Sequence, residues 1–232
     1  MKLGIFTDSH YSSQEITCGR RYNSKSLEKI RLAYEYFEEQ KCDLVICLGD
    51  LTDVESTHEK ETENLIAVSR IINASPLKTV CMLGNHDGFS FTAEEFYRLL
   101  NVAEPDLLEI DGKTLIFVDA CYFKSGEHYQ PGDSGWMDTF YPHTEKLAVQ
   151  LSNAAGDVYI FMHQNIDPEI HESHRLYNTD EMNRIIRESG KVKAVFQGHY
   201  HAGAQNVYDG IKYTTFPAMC ENDDARFVVE LT

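Results

Sequence analysis

Residues 43–53 read DLVICLGDLTD. The apolar run Asp43–Leu48 ends abruptly at Gly49-Asp50, and Asp53 follows three residues later. A run without polar alternation suits a strand covered on both faces, and the polar residues behind it then sit at the strand's carboxyl end. The same grammar recurs along the chain. GIFT precedes Asp8-Ser-His10, VCML precedes Gly84-Asn85-His86-Asp87, VYIFM precedes His163, and AVFQ precedes Gly198-His199-Tyr-His201. In α/β sheets, ligands bind outside the carboxyl ends of the strands. Five such ends in one molecule predict a single cluster of carboxylate, amide and imidazole groups.

Strand-like runs cover Lys2–Thr7, Asp43–Leu48, Thr79–Leu83, Leu107–Ile110, Thr114–Asp119, Val158–Met162, Ala194–Gln197, Ala204–Tyr208, Ile211–Phe216 and Arg226–Leu231. Helical periodicity covers Ser24–Gln40, Ser56–Ala74, Thr92–Leu100, His143–Ala155 and Thr179–Ser189. Thr92 and Glu95 form a capping box, and Gly190 stops the last helix. Asp111-Gly112 and Asp209-Gly210 are hairpin turns. Strand–helix alternation with late hairpins predicts two mixed sheets face to face, with helices outside. The aperiodic stretches Tyr11–Asn23, Cys121–Pro142 and Gln164–Asn178 are the expected specificity loops.

With 232 residues, 42% of them hydrophobic, a full core needs no staples, and one domain spanning 1–232 is expected. No apolar run reaches the length of a membrane span. The net charge of 21 − 37 = −16 disfavours nucleic acid and anionic lipid as partners. MKLGIFTDSH lacks the form of a secretory leader, and no C-x-x-C pair occurs among the six cysteines. A cytoplasmic protein with reduced thiols is therefore expected, its cysteines acting as small core hydrophobes.

Asp oxygens, His nitrogens and an Asn carbonyl suit divalent metal, and a set without thiolate points to Mn, Fe, Zn or Co in an open site. One aspartate could bridge two ions through its two oxygens, and Gly49, Gly84 and Gly198 would let the backbone turn beneath them. No phosphate-cradling G-x-x-x-x-GK[ST] and no G-x-S-x-G nucleophile is present, so activated water is the expected nucleophile.

The order D-x-H, GD-x-x-D, GNHD, H, GH-x-H, from Asp8 to His201, resembles the calcineurin-like metallophosphoesterases. The resemblance implies an α/β fold, a four-layer α/β/β/α sandwich of two mixed β-sheets flanked by helices, with two divalent metal ions. It assigns Asp8, His10, Asp50 and His201 to one metal, with Asp50 bridging, and Asn85, His163 and His199 to the other. His86 becomes the catalytic histidine oriented by Asp53, and Asn85 and His86 the substrate-binding pair. The implied activity is hydrolysis of a small-molecule phosphodiester or phosphomonoester by hydroxide on the two metals. A catalytically silent scaffold and a nuclease are the alternatives.

Departures from subgroups narrow the resemblance. GDLTDVE with GNHD differs from the GD-x-x-DRG and GNHE of protein phosphatases. Asp53 stands where purple acid phosphatases carry a tyrosine, and GNHD replaces the GNRD of lipid A pathway pyrophosphatases. The motifs are most similar to bacterial cyclic-nucleotide and glycerophosphodiester phosphodiesterases, except that His163-Gln164-Asn165 replaces their HH-P.

Outside the motifs, Asp87 is read as a partner of a ligand histidine or as a turn cap, and Asp119 as structural. His58, His128, His143, His171 and His174 are read as solvated, with His128, His171 and His174 close enough to the rim for substrate contact. Arg20, Arg21 and Lys25 are read as helix N-terminal surface charge, with contact to a substrate phosphate tail as the alternative. Tyr11, Tyr200 and Trp136 are aromatic candidates for stacking on a substrate, or core residues.

Overall fold

A computed structural model of the chain describes residues 1–132 and 140–232. Trp136, one of the stacking candidates, lies outside the described residues. Two sheets form the centre. The first has strand order β10-β1-β2-β3, built from β1 (Lys2–Phe6), β2 (Leu44–Cys47), β3 (Thr79–Cys81) and β10 (Phe227–Glu230). The second has order β4-β5-β6-β7-β9-β8, from β4 (Leu107–Ile110), β5 (Lys113–Val118), β6 (Asp157–Met162), β7 (Val192–Gln197), β8 (Ala204–Tyr208) and β9 (Ile211–Thr215). The inner strands of each sheet are parallel, and β10, β4 and β8 close edges antiparallel. Both Asp-Gly turns join hairpins, β4–β5 and β8–β9, with the Asp and Gly of each at positive φ.

Side-chain alternation along β1 explains the layering. Leu3 and Ile5 point between the sheets, where they meet Leu44, Ile46, Leu115 and Phe161. Phe6, Val45 and Cys47 point the other way, onto α1 (Ser26–Glu39), α2 (His58–Ala74) and α4 (Ala93–Leu100). The second sheet packs its outer face against α5 (Thr144–Asn153) and α6 (Thr179–Ser189). The expected four layers are present. Thr92 caps α4 by accepting the Glu95 N–H, and Gly190 ends α6 in the left-handed region.

One element escaped the periodicity. Asn85–Ser90 forms a short helix, α3, within the GNHD motif. It has no apolar stripe to announce it. Polar bonds hold it: the Asp87 carboxylate accepts the N–H groups of Gly84 at 3.1 Å, Leu51 at 3.2 Å and Thr52 at 3.1 Å. Asp87 is thus a turn cap that also ties the third motif to the second, and it meets no histidine.

Between the sheets, Phe117, Phe161 and Phe196 stack at centroid spacings of 5.3 and 5.1 Å. Phe161 is fully buried at the middle of this ladder. Phe161→Ala should lower unfolding free energy by about 3–5 kcal/mol in urea titration, because both neighbours stay anchored and the cavity cannot collapse. A loss below about 1 kcal/mol would mean that this ladder is not part of the core that holds the sheets together.

Candidate metal centre

The parallel inner strands end together, and the chain turns sharply at each end. Asp8, His10, Asp50 and His199 all adopt positive φ, between 44° and 64°. Non-glycine residues in this region cost on the order of 1–3 kcal/mol each. Here the turn folds the side chains back over the strand ends. Backbone bonds lock the turns: Asp8 N–H donates to Gly49 O and His10 N–H to Asp50 O, each at 3.0 Å. Gly198 N–H donates to His163 O at 3.0 Å within the second sheet.

All nine residues singled out by the motifs meet at this junction. His10 Nε2 lies 3.7 Å from Asp8 Oδ1, 3.5 Å from Asp50 Oδ2 and 3.2 Å from His201 Nε2. His163 Nε2 lies 3.2 Å from the same Asp50 Oδ2 and 3.1 Å from Asn85 Oδ1. Donor atoms of Asp50, His163 and His199 lie within 4.8 Å of one another. His86 Nδ1 is 2.9 Å from Asp53 Oδ1, and its ring stands edge-on to that of His10 at 4.6 Å.

The glycines matter here through close approach. A Cβ on Gly84 would collide with Asp50 Oδ1, and one on Gly198 with Thr7 Oγ1. Those contacts orient the carboxylates. Asp50 Oδ1 accepts the His86 N–H at 2.8 Å, so only Oδ2 faces both histidine groups. Asp8 Oδ2 accepts from Thr7 Oγ1 at 2.6 Å and His199 N at 3.0 Å. That leaves Asp8 Oδ1 buried without a hydrogen-bond partner. A buried carboxylate oxygen left bare beside two imidazole nitrogens fits a cation and is costly without one.

Outer contacts aim the imidazoles. His163 Nδ1 lies 2.8 Å from Leu48 O, which turns Nε2 to the centre. His201 Nδ1 lies 2.5 Å from Glu221 Oε1. Asp53 Oδ2 accepts from Thr17 Oγ1 at 2.9 Å, Asn23 Nδ2 at 3.0 Å and Arg21 at 3.4 Å. No motif pointed to Glu221, Thr17 or Asn23; they lie in segments without periodicity, and their roles depend on tertiary contact. Arg21 is largely buried against Asp53, contrary to its reading as surface charge, while Arg20 reaches Glu221 at 3.1 Å.

The remaining histidines divide. His58 is half-exposed between Glu61 and Glu95. His128 sits 2.9 Å from Asp119 and is not simply solvated, whereas His143 is exposed, as expected, with its ring edging Tyr122. Burial opposes a charge on His128, but Asp119 outweighs it and holds the pKa up. His171 caps the turn Glu172–His174. His174 comes to the rim, 6.0 Å from the His199 ring and 5.0 Å from Tyr200. A cavity of about 690 Å³ opens there, walled by Phe140, His174, Arg175, Tyr177 and His199.

Burial and mutual charge set the protonation of the cluster. Burial, helped by His86 and Arg21, pushes His10 down to about 4, and burial with the charge on His163 pushes His199 down to about 3. For His163 burial is outweighed by the Asp50 and Asp8 carboxylates, which carry it up to about 9. Burial would raise Asp8 and Asp50, but neighbouring imidazoles hold both carboxyls well below the usual range.

The sequence profile of the family described as calcineurin-like phosphoesterase matches residues 1–203. The chain belongs to that family. It is therefore a phosphoric ester hydrolase of a binuclear, divalent-metal class. No curated protein matches the sequence. Solved structures share the fold at low identity. A dimetal phosphatase from Danio rerio has TM-score 0.84 at 17% identity, covering 99% of this chain and 92% of that one. The phosphopantetheinyl hydrolase of Mycobacterium tuberculosis has TM-score 0.56 at 14% identity, over 95% and 90%. GAP50, the anchor in the inner membrane complex of Plasmodium, has TM-score 0.55 at 11% identity, over 96% and 72%. A phosphatase, a hydrolase and an anchor share one scaffold, so function must be argued from the side chains. Among the described residues no helix is long and apolar enough to cross a membrane.

Metal ligation requires a neutral imidazole, and His163 keeps its proton up to about 9. Below that pH, binding must expel the proton, so metal affinity should fall by up to about tenfold per unit between pH 9 and 7. Calorimetric Mn²⁺ titration in buffers of different ionisation enthalpy should show proton release. Affinity independent of pH, with no proton released, would count against His163 as a metal ligand.

Proposed function

We propose that this phosphoesterase hydrolyses a small-molecule phosphodiester or phosphomonoester. Asp8, His10, Asp50 and His201 would hold one divalent cation, and Asp50, Asn85, His163 and His199 the other. The donor chemistry favours Mn, Fe, Zn or Co. The observation that carries the reading is Asp50 Oδ2, which faces His10 Nε2 at 3.5 Å and His163 Nε2 at 3.2 Å. One carboxylate oxygen between two imidazole groups is the arrangement a shared ligand needs. Bound at this site, the cations supply Lewis acidity that polarises the phosphoryl group and lowers the pKa of water.

The chain's own groups do the rest. His86 stands on the first turn of α3, with Nδ1 against Asp53 and its side chain partly open to solvent. Nε2, across the ring from Nδ1, would hydrogen-bond a phosphoryl oxygen or deliver a proton to the leaving oxygen. Asp53 holds the imidazole in place, and Thr17, Asn23 and Arg21 hold Asp53. Burial works against the Asp53 charge, but His86, His10 and Arg21 outweigh it and keep the carboxylate ionised. The Asn85 amide, beside His86, would help to seat the phosphoryl group. The rest of the substrate would lie in the cavity beside His199, whose wall offers Phe140 and Tyr177 for apolar contact and Arg175 for an anionic one. A net charge of −16 argues for such small substrates over nucleic acid, and a cytoplasmic setting suits six free thiols.

The test is turnover of bis-p-nitrophenyl phosphate and phosphomonoesters by the purified protein with Mn²⁺. Hydrolysis is expected, with single-stranded DNA and RNA left intact; inactivity across esters and metals would favour the silent scaffold. His86→Ala should keep both metals and lose about 10²-fold or more in kcat. Asp50→Ala should lose both metals by elemental analysis. An unchanged kcat in the first variant, or full metal content in the second, would overturn the respective role.

A further inference from the structure

Five cysteines are buried, and four of them, Cys42, Cys47, Cys81 and Cys121, belong to the apolar cluster under the helices of the first sheet. Cys220 is fully buried yet belongs to none of the three apolar clusters. Its charged surroundings include Asp8, Arg21, Glu221 and Asp53. Its Sγ and one ring nitrogen from each of His10 and His201 lie within 4.8 Å of one another. The backbone pins it there. Cys220 N–H donates to Asp8 O and Tyr22 N–H donates to Cys220 O, each at 3.0 Å. On either side, Ala218 N–H reaches His201 O at 3.0 Å and the Glu221 carboxylate reaches His201 Nδ1 at 2.5 Å. The segment is thus stitched to both metal-facing loops.

A second observation points to a ligand at the same spot. Asp8 Oδ1, fully buried and without a hydrogen-bond partner, lies 3.4 Å from His201 Nε2 and 3.7 Å from His10 Nε2. The bare oxygen and the thiol address the same pair of imidazoles.

We propose that the Cys220 thiolate is a further donor to the cation held by Asp8, His10 and His201, and that it selects a thiophilic ion there. The inference rests on the metal reading of those three residues and deepens it. Metal–sulfur and metal–nitrogen bonds of about 2.3 and 2.0–2.1 Å allow sulfur and nitrogen ligands to stand up to about 4.4 Å apart. To share one cation, the thiol and the two nitrogens, now within 4.8 Å of one another, close inward around it. On coordination the S–H bond breaks, the sulfur electron pair forms the bond to the cation, and the proton leaves to solvent. A donor set of carboxylate, two imidazoles and a thiolate favours zinc, iron(II) or cobalt(II) over magnesium and manganese. This departs from the thiolate-free set expected from the motifs, which gave Cys220 no role beyond packing.

Cobalt(II) substitution gives a readout independent of turnover. Metal-stripped protein loaded with two equivalents of Co²⁺ should show a thiolate-to-cobalt charge-transfer band in the near ultraviolet. Cys220→Ser should lose that band, keep two cobalt ions and lose zinc-over-magnesium preference in competition. Cys121→Ser, a buried thiol in the apolar cluster, should keep the band. Should Cys220→Ser fail to fold, Cys220→Ala takes its place with the same expected loss, and Cys18→Ser, which removes the exposed thiol, should keep the band. Two bound cobalt ions without the band, or a band that survives in Cys220→Ser, overturn the role of Cys220 and leave the metal reading standing. Failure to bind cobalt at all overturns both.

Discussion

Two carboxylates buried side by side constrain the whole molecule. Asp8 is 0% and Asp50 1% exposed, and both lie where the two sheets meet. Such a pair, unscreened, would repel and would draw protons in place of ionising. The His163 and His201 imidazoles answer part of that charge, and His163 keeps a proton to about 9 for this reason. Asp8 Oδ1 still has no hydrogen-bond partner. A pair of divalent cations would resolve both the repulsion and the bare oxygen. The four-layer scaffold, in turn, is what permits the strain: it holds four motif residues at positive φ against a cost that an isolated loop would relax.

The remainder of the structure follows from keeping that junction rigid. Inner strands run parallel so that their carboxyl ends coincide, and backbone bonds from Asp8 and His10 reach the second motif. His163 Nδ1 faces Leu48 O, which joins a residue of the second sheet to a strand end of the first. Asp87, buried and pushed up to about 7 by burial and by Asp50, binds three backbone amides across two motifs. Groups that carry chemistry are thus placed by rigid strand ends, and the open space beside them is lined by the long loops.

The fold was legible because its strands are uniformly apolar. All ten strand runs, both hairpin turns and five helices appear where periodicity and turn chemistry put them. The nine motif residues were legible because a polar ligand directly after an apolar strand is expensive without a purpose, as at His163 after VYIFM. What stayed hidden was held by tertiary contact. Helix α3 is fixed by the Asp87 carboxylate and not by an apolar face. Glu221 and Cys220 lie in a segment with no motif, and only pairing with Thr7 and Asp8 brings them to the centre. Arg21 read as surface charge because the burial of its guanidinium against Asp53 depends on how a loop folds.

The central claim is that Asp50 Oδ2 lies between two cations. Anomalous diffraction from crystals soaked in Zn²⁺ tests it directly. The account predicts two peaks, each about 2.0–2.2 Å from that one oxygen. One would be shared with His10 and His201, the other with His163 and His199. A single peak, or two peaks of which either stands clear of Asp50, would contradict it.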